Sequence, residues 1–167
     1  RLLQSRGLGD VYKRQAYTTA IGTQSSAATI PVTTQCTKNN GVSDGMAEFV
    51  CPLCATIHLS GSTITLTSCA MAVMVMPNQS IGFGKMFPFI LMLGVTMVAA
   101  PGVPGGAVMA ALGILQSMLG FDETMCGLMI ALYIAQDSFG TACNVTGDGA
   151  IAVFMDAITG KKKAAAK

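Results

Sequence analysis

The sequence predicts an all-α membrane protein built from re-entrant helical hairpins and broken transmembrane helices. Three observations predict it. First, the 167 residues are 51% hydrophobic and only 11% charged, whereas soluble domains carry about a quarter charged residues. The basic residues gather at the ends, at Arg1, Arg6, Lys13 and Arg14 and then at Lys161, Lys162, Lys163 and Lys167, with only Lys38 and Lys85 between. Second, the apolar stretches are interrupted by glycine, serine and proline at depths where a simple span would continue. Such breaks are tolerated in a membrane only where the backbone faces protein or a water-filled cavity. Third, Asp137, Thr141, Asn144 and Asp148 fall at i, i+4, i+7 and i+11 inside an apolar run. A helix collects them into one narrow stripe. The flanking faces carry Leu128, Ile130, Leu132, Ile134, Val153 and Phe154, so a solvent-facing stripe is the weaker reading.

The elements follow in order. Residues 1–15 are polar and arginine-rich and lack the apolar core of a signal peptide. They are set apart as a non-family leader, an artefact of translated adaptor, with a cytoplasmic leader as the alternative. After a short apolar piece at 16–21, the serine- and threonine-rich stretch 22–31 ends in Pro31. It favours a break with exposed amides over a continuous helix, and taken alone the serine run reads better as an ordinary helix cap. A helix then runs to about Lys38 and stops at Asn39-Asn40-Gly41. Ser43 to Glu48 reads as a new helix start. Its apolar run, residues 44–76, is interrupted at His58-Leu59-Ser60-Gly61-Ser62-Thr63 and closed by Pro77-Asn78-Gln79.

Residues 83–119 hold two apolar halves around Pro101-Gly102-Val103-Pro104-Gly105-Gly106. Each half is short against the roughly 20 residues of a bilayer span. The pair therefore reads as a re-entrant hairpin, and Lys85 can snorkel at one end. Residues 124–159 form the last span, and 161–167 a basic tail that favours a cytoplasmic C-terminus. A complete transporter needs more spans, so a fragment is expected.

Several function classes recede. No basic patch interleaves with aromatics and tryptophan is absent, so nucleic acid is not an expected partner. Six cysteines in an apolar chain do not imply disulfides. Gly147 to Ala152 matches a loose dinucleotide fingerprint without a preceding strand. Asn144-Val145-Thr146 is a sequon inside the membrane. No nucleophile–histidine–acid set is convincing, so an enzyme is not expected, nor an enzymatic cofactor. Cys51, Cys54 and His58 at i, i+3 and i+7 would share a helical face. They make a membrane metal-binding or structural subunit the rival class, against ordinary packing.

Four motifs come in order: Ser25-Ser26-Ala27-Ala28-Thr29-Ile30-Pro31, Ala55-Thr56-Ile57-His58-Leu59-Ser60-Gly61-Ser62, Gly102-Val103-Pro104-Gly105-Gly106 and Asn144-Val145-Thr146-Gly147-Asp148. Together, over residues 16–158, they resemble the dicarboxylate/amino acid:cation symporter family, with the glutamate-transporter fold. The resemblance implies a partial transport domain at 16–160. Residues 16–38 would end the first re-entrant hairpin, 44–76 would be a broken span, 83–119 the second hairpin and gate, and 124–159 the last span. It further implies a multi-pass protein of the cell membrane, homotrimeric at full length and surrounded by lipid.

The same resemblance implies site roles. Ser25, Ser26 and Ser62 would serve the substrate with Val103 and Gly105 of the gate. Asp137 would hold the α-amino group, and Thr141 and Asn144 would complete the contacts. Asn144 and Asp148 would bind sodium as the coupling ion, with protons as the alternative. Members that take acidic substrates use an arginine, and the matching places here are Gly140 and Gln24. That implies symport of a small neutral amino acid, in the manner of the serine/threonine branch, rather than of a dicarboxylate or acidic amino acid. His58 and Ser60 stand where many members have an amide and an acid, which implies a weakened sodium site. The bottom-up expectation beside it is that Asp137 and Asp148 face one shared cavity.

Overall fold

The computed structural model describes residues 14–77 and 80–165, and the side chains up to residue 160. The leader up to residue 13, the turn residues Asn78 and Gln79, the end of the tail and the tail's side chains lie outside the described residues. Among the described residues seven helices follow one another: α1 (14–23), α2 (Ser26–Asn39), α3 (Asp44–Ile57), α4 (Ser60–Val75), α5 (Phe83–Val98), α6 (Gly106–Leu119) and α7 (Glu123–Ala165).

The first break is narrower than the serine-rich sequence suggests. Only Gln24 and Ser25 leave the helix, and Pro31 is carried inside α2. Ser25 is the reason α2 starts where it does. Its hydroxyl accepts the Ala28 N–H at 3.1 Å and so satisfies one of the unpaired amides of the first turn. Gln24 ends α1 at φ 51, the one positive φ outside glycine among the described residues. At the far end of α2, Lys38 bridges to Glu48 of α3 at 2.5 Å.

The second break is also short. α3 ends at Ile57, only His58 and Leu59 are non-helical, and Ser60 to Thr63 already belong to α4. The Gly/Pro segment 99–105 turns α5 into α6. Gly105, at φ 70, begins α6 in the left-handed region that favours glycine. Lys85 does more than snorkel. Its ammonium donates to the Leu119 carbonyl at 3.0 Å, tying the outer ends of the hairpin arms and placing a cation at the C-terminus of α6.

The core lies where α4, α5, α6 and α7 meet. Leu66, Met74, Phe89, Leu93, Leu115 and Tyr133 are fully buried there. A smaller cluster at Val50, Cys51, Cys54 and Ala152 joins α3 to α7. The outer surface is apolar too: Phe49, Ile64, Phe83, Val95, Phe139 and Phe154 are each more than half exposed. Such a surface suits lipid or other helices better than water. The segment Asp44–Val75 is long and apolar enough to cross a membrane, while α5 and α6 are apolar but shorter. α7, with 43 residues, is about 65 Å long and exceeds the bilayer core.

Candidate substrate and cation site

α7 turns its polar stripe inward. Asp137, Thr141, Asn144 and Asp148 are all at most 3% exposed. A buried carboxylate or amide must find partners, and each of these does so on a different neighbour.

Asn144 secures the broken span. The N-terminus of α4 begins at Leu59, whose side chain has no group to cap it. Asn144 supplies the missing acceptor from 82 or more residues away. Its Oδ1 takes the Gly61 N–H at 2.8 Å and the Ser62 N–H at 3.4 Å, and its Nδ2 donates to Ser62 Oγ at 2.9 Å. The approach is close because two glycines face each other. A Cβ on Gly61 would run into the Gly140 carbonyl and the Cys143 side chain, and one on Gly140 would press on Thr65 and Ser62.

Asp137 meets the tip of the second hairpin. Its Oδ2 accepts the Gly105 N–H at 2.8 Å, and Thr141 Oγ1 donates to Oδ1 at 3.5 Å. The donor is the first amide of α6, where the helix dipole favours a negative charge. The two hairpin tips also hold each other. Ser25 Oγ donates to the Gly102 carbonyl at 2.7 Å, and the Ala27 N–H donates to the same oxygen at 3.1 Å. Gly102 sits so close to Ala55 and Ala27 that a Cβ there would clash.

These contacts enclose a cavity of about 10 Å³, lined by Gln24, Ser26, Ser62, Asp137, Thr141 and Asn144 on its polar side. That is room for about one water. Val103 lines the rim with its side chain half exposed. Ser25 and Gly105 are not among the lining residues; they hold the closure. Tyr133, one turn before Asp137, also lines the cavity and is fully buried. Reading the sequence missed it. Its place at i−4 from Asp137 extends the stripe by a turn, which was the available signal. A larger groove of about 390 Å³ between α1, α2 and α7 is lined by neither acid of the stripe.

Two expectations change. Asp148 does not face the cavity that Asp137 lines. The eleven residues between them separate the acids by about 16 Å along α7. Asp148 instead pairs with His58, Nδ1 to Oδ1 at 2.8 Å, and the ring fits only because Gly147 has no Cβ to strike it. The metal triad fails for a related reason. Its shared face required a helix through residue 58, but α3 stops at Ile57 and His58 adopts φ −114, ψ 84. Among the described residues no three histidine, cysteine or acidic side chains are grouped to hold a metal. Cys51 donates to Thr37 Oγ1 at 3.4 Å and packs with Cys54 against Ala152.

This pattern of two hairpin tips, a broken span and an acid-bearing last helix can be compared with known proteins. The model of the sodium:dicarboxylate symporter family matches residues 12–158. The chain belongs to the sodium:dicarboxylate symporter family. It is thereby an all-α, multi-pass membrane protein of that family. The chain is similar to human excitatory amino acid transporter 1, at 32% identity over 135 residues, 80% of this chain and 25% of that protein. It is similar to human neutral amino acid transporter B(0), at 30% over 131 residues, 78% of this chain and 24% of that protein. It is also similar to mouse excitatory amino acid transporter 5, at 31% over 142 residues, 84% and 25% respectively. The chain thus spans about a quarter of the length of the curated relatives it matches. The match begins at residue 12 and α1 is described from residue 14, both inside the stretch set apart as leader.

Proposed function

We propose that the full-length protein is a sodium-coupled symporter of a small neutral amino acid, working by alternating access. The observation that carries this is the cavity wall. Among the described residues it holds one carboxylate, Asp137, and no lysine, arginine or histidine. A buried carboxylate with only a backbone amide and a hydroxyl as partners suits an incoming ammonium. A second carboxylate on the substrate would have no guanidinium fork to meet it. Names of relatives do not decide the matter, since one excitatory and one neutral amino acid transporter match at nearly the same identity.

The steps follow from the contacts. The gate's own Gly105 N–H holds Asp137, and the tips hold each other through Gly102. A substrate ammonium takes over Asp137 when the second hairpin lifts, and its carboxylate meets the tip at Ser25 and Ser26 with Thr141 and Asn144. The hairpin then recloses over the substrate at Val103 and the domain crosses. Ser62 keeps Asn144 in place. Sodium is cargo in this scheme. At Asp148 it competes with His58, and at Asn144 with the amides of Gly61 and Ser62, which makes that corner a weak sodium site. Residues 16–160 are the partial transport domain, and the full-length protein is a homotrimer in lipid.

A competition uptake panel of serine, threonine, alanine, aspartate and succinate under a sodium gradient tests the proposal. Serine or alanine should compete best; preference for succinate or aspartate refutes the neutral reading. Charge at the cavity should redirect it. Gln24→Arg places a guanidinium at the wall, so aspartate uptake should rise about tenfold or more relative to alanine. Gly140→Arg should not do the same, because a side chain there meets Thr65 and the start of α4. Equal gain from both variants would refute the assigned geometry.

A further inference from the structure

We propose that the Tyr133 hydroxyl reads the substrate's side chain, selecting amino acids that carry a short neutral hydroxyl or amide over purely apolar ones. The inference rests on the neutral amino acid reading above and goes one step further, to the kind of side chain.

Tyr133 is fully buried, and its ring belongs to the main core. Among the described residues its hydroxyl has no well-aligned hydrogen-bond partner. It lies beside Ser62 and Asp137, both of which line the cavity, close enough to feel each of them but without the geometry of a full hydrogen bond to either. A phenylalanine would fill the same space without leaving a polar atom stranded. Stranding one costs free energy in a buried site. The cost makes sense when a ligand atom arrives to complete the bond.

The chemistry of that atom follows from its neighbours. The substrate's ammonium is met by Asp137. Its carboxylate is drawn to the start of α2, where Ser26 lines the cavity and the helix dipole favours an anion. A phenol hydroxyl both donates and accepts, and suits a neutral group that does the same. Another polar residue of the wall, Gln24, is also neutral. Gln24 holds a positive φ that a glycine would adopt without strain, which places a polar side chain at the cavity where the backbone alone would not ask for one.

The test compares serine with alanine in the full-length protein, reconstituted in vesicles with a sodium gradient. Wild type should show the higher kcat/KM for serine. Tyr133→Phe should narrow the serine-to-alanine ratio about tenfold, with serine falling further than alanine, the size expected for one hydrogen bond to a neutral group. The variant loses one oxygen and keeps the ring, so its melting temperature should be no lower than wild type. An unchanged ratio overturns the assignment. So does an equal fall for both amino acids, which would place the hydroxyl on the part they share. Wild-type uptake of aspartate or succinate with neither serine nor alanine overturns the neutral reading itself, and this inference with it.

Discussion

Replacing Asp137 with alanine in the full-length protein is expected to abolish amino acid uptake. The carboxylate is 3% exposed, and among the described residues the cavity offers no other acid to receive an ammonium. Removing one partner of a buried, hydrogen-bonded charge pair costs about 2–5 kcal/mol, roughly a 30- to 5,000-fold loss. Asp137→Asn separates two roles. The amide oxygen can still accept the Gly105 N–H, so the gate keeps its catch, but the negative charge is gone. Uptake should fall nearly as far as in the alanine variant. Radiolabelled uptake into vesicles under an inward sodium gradient, with protein quantified in the membrane, reads both. If the asparagine variant transports like wild type, the charge is not what holds the substrate, and the ammonium scheme fails.

Much of this arrangement was legible in the residues because helical periodicity is a strong signal. The stripe at 137, 141, 144 and 148 needs only a helix to become one face, and α7 is unbroken through it. The Gly/Pro tip at 101–106 was equally legible, since two prolines and three glycines cannot continue a helix. What escaped was everything decided by a partner distant in sequence. Cys51, Cys54 and His58 share a face only if the helix continues, and it ends one residue too soon. Asp148 was assigned to the cavity by its register, but His58, ninety residues away, claims it. Tyr133 reads as an ordinary core aromatic among Met129, Leu132 and Ile134 until the hairpin tips fold over its hydroxyl. Asn144 reads as a ligand group and is also a cap for α4, a helix start that its own sequence leaves bare.

The cap depends on how closely α4 and α7 approach, and that distance yields the second large effect. Gly61→Ala should destabilise the folded protein by about 1–3 kcal/mol, and Gly61→Val by more. The added Cβ meets the Gly140 carbonyl and, 2.6 Å away, the Cys143 Cβ. Both belong to the continuous helix α7, which cannot step aside without moving Asp137 and Asn144 with it. The helices must therefore part, and the Gly61 and Ser62 N–H groups lose Asn144 just where a buried donor has no water to replace it. Gly140→Ala should cost less, since the Thr65 hydroxyl it meets at 3.1 Å can rotate. Gly113→Ala is the opposite control. It lies inside α6 with open space around it, so relief of backbone entropy should stabilise by about 0.5–1 kcal/mol. Thermal unfolding of the full-length protein in detergent should rank the variants Gly113→Ala above wild type, then Gly140→Ala, then Gly61→Ala. A Gly61→Ala protein as stable as wild type would mean that the broken span is not clamped against the last helix, and that Asn144 is free to serve a cation instead of a helix end.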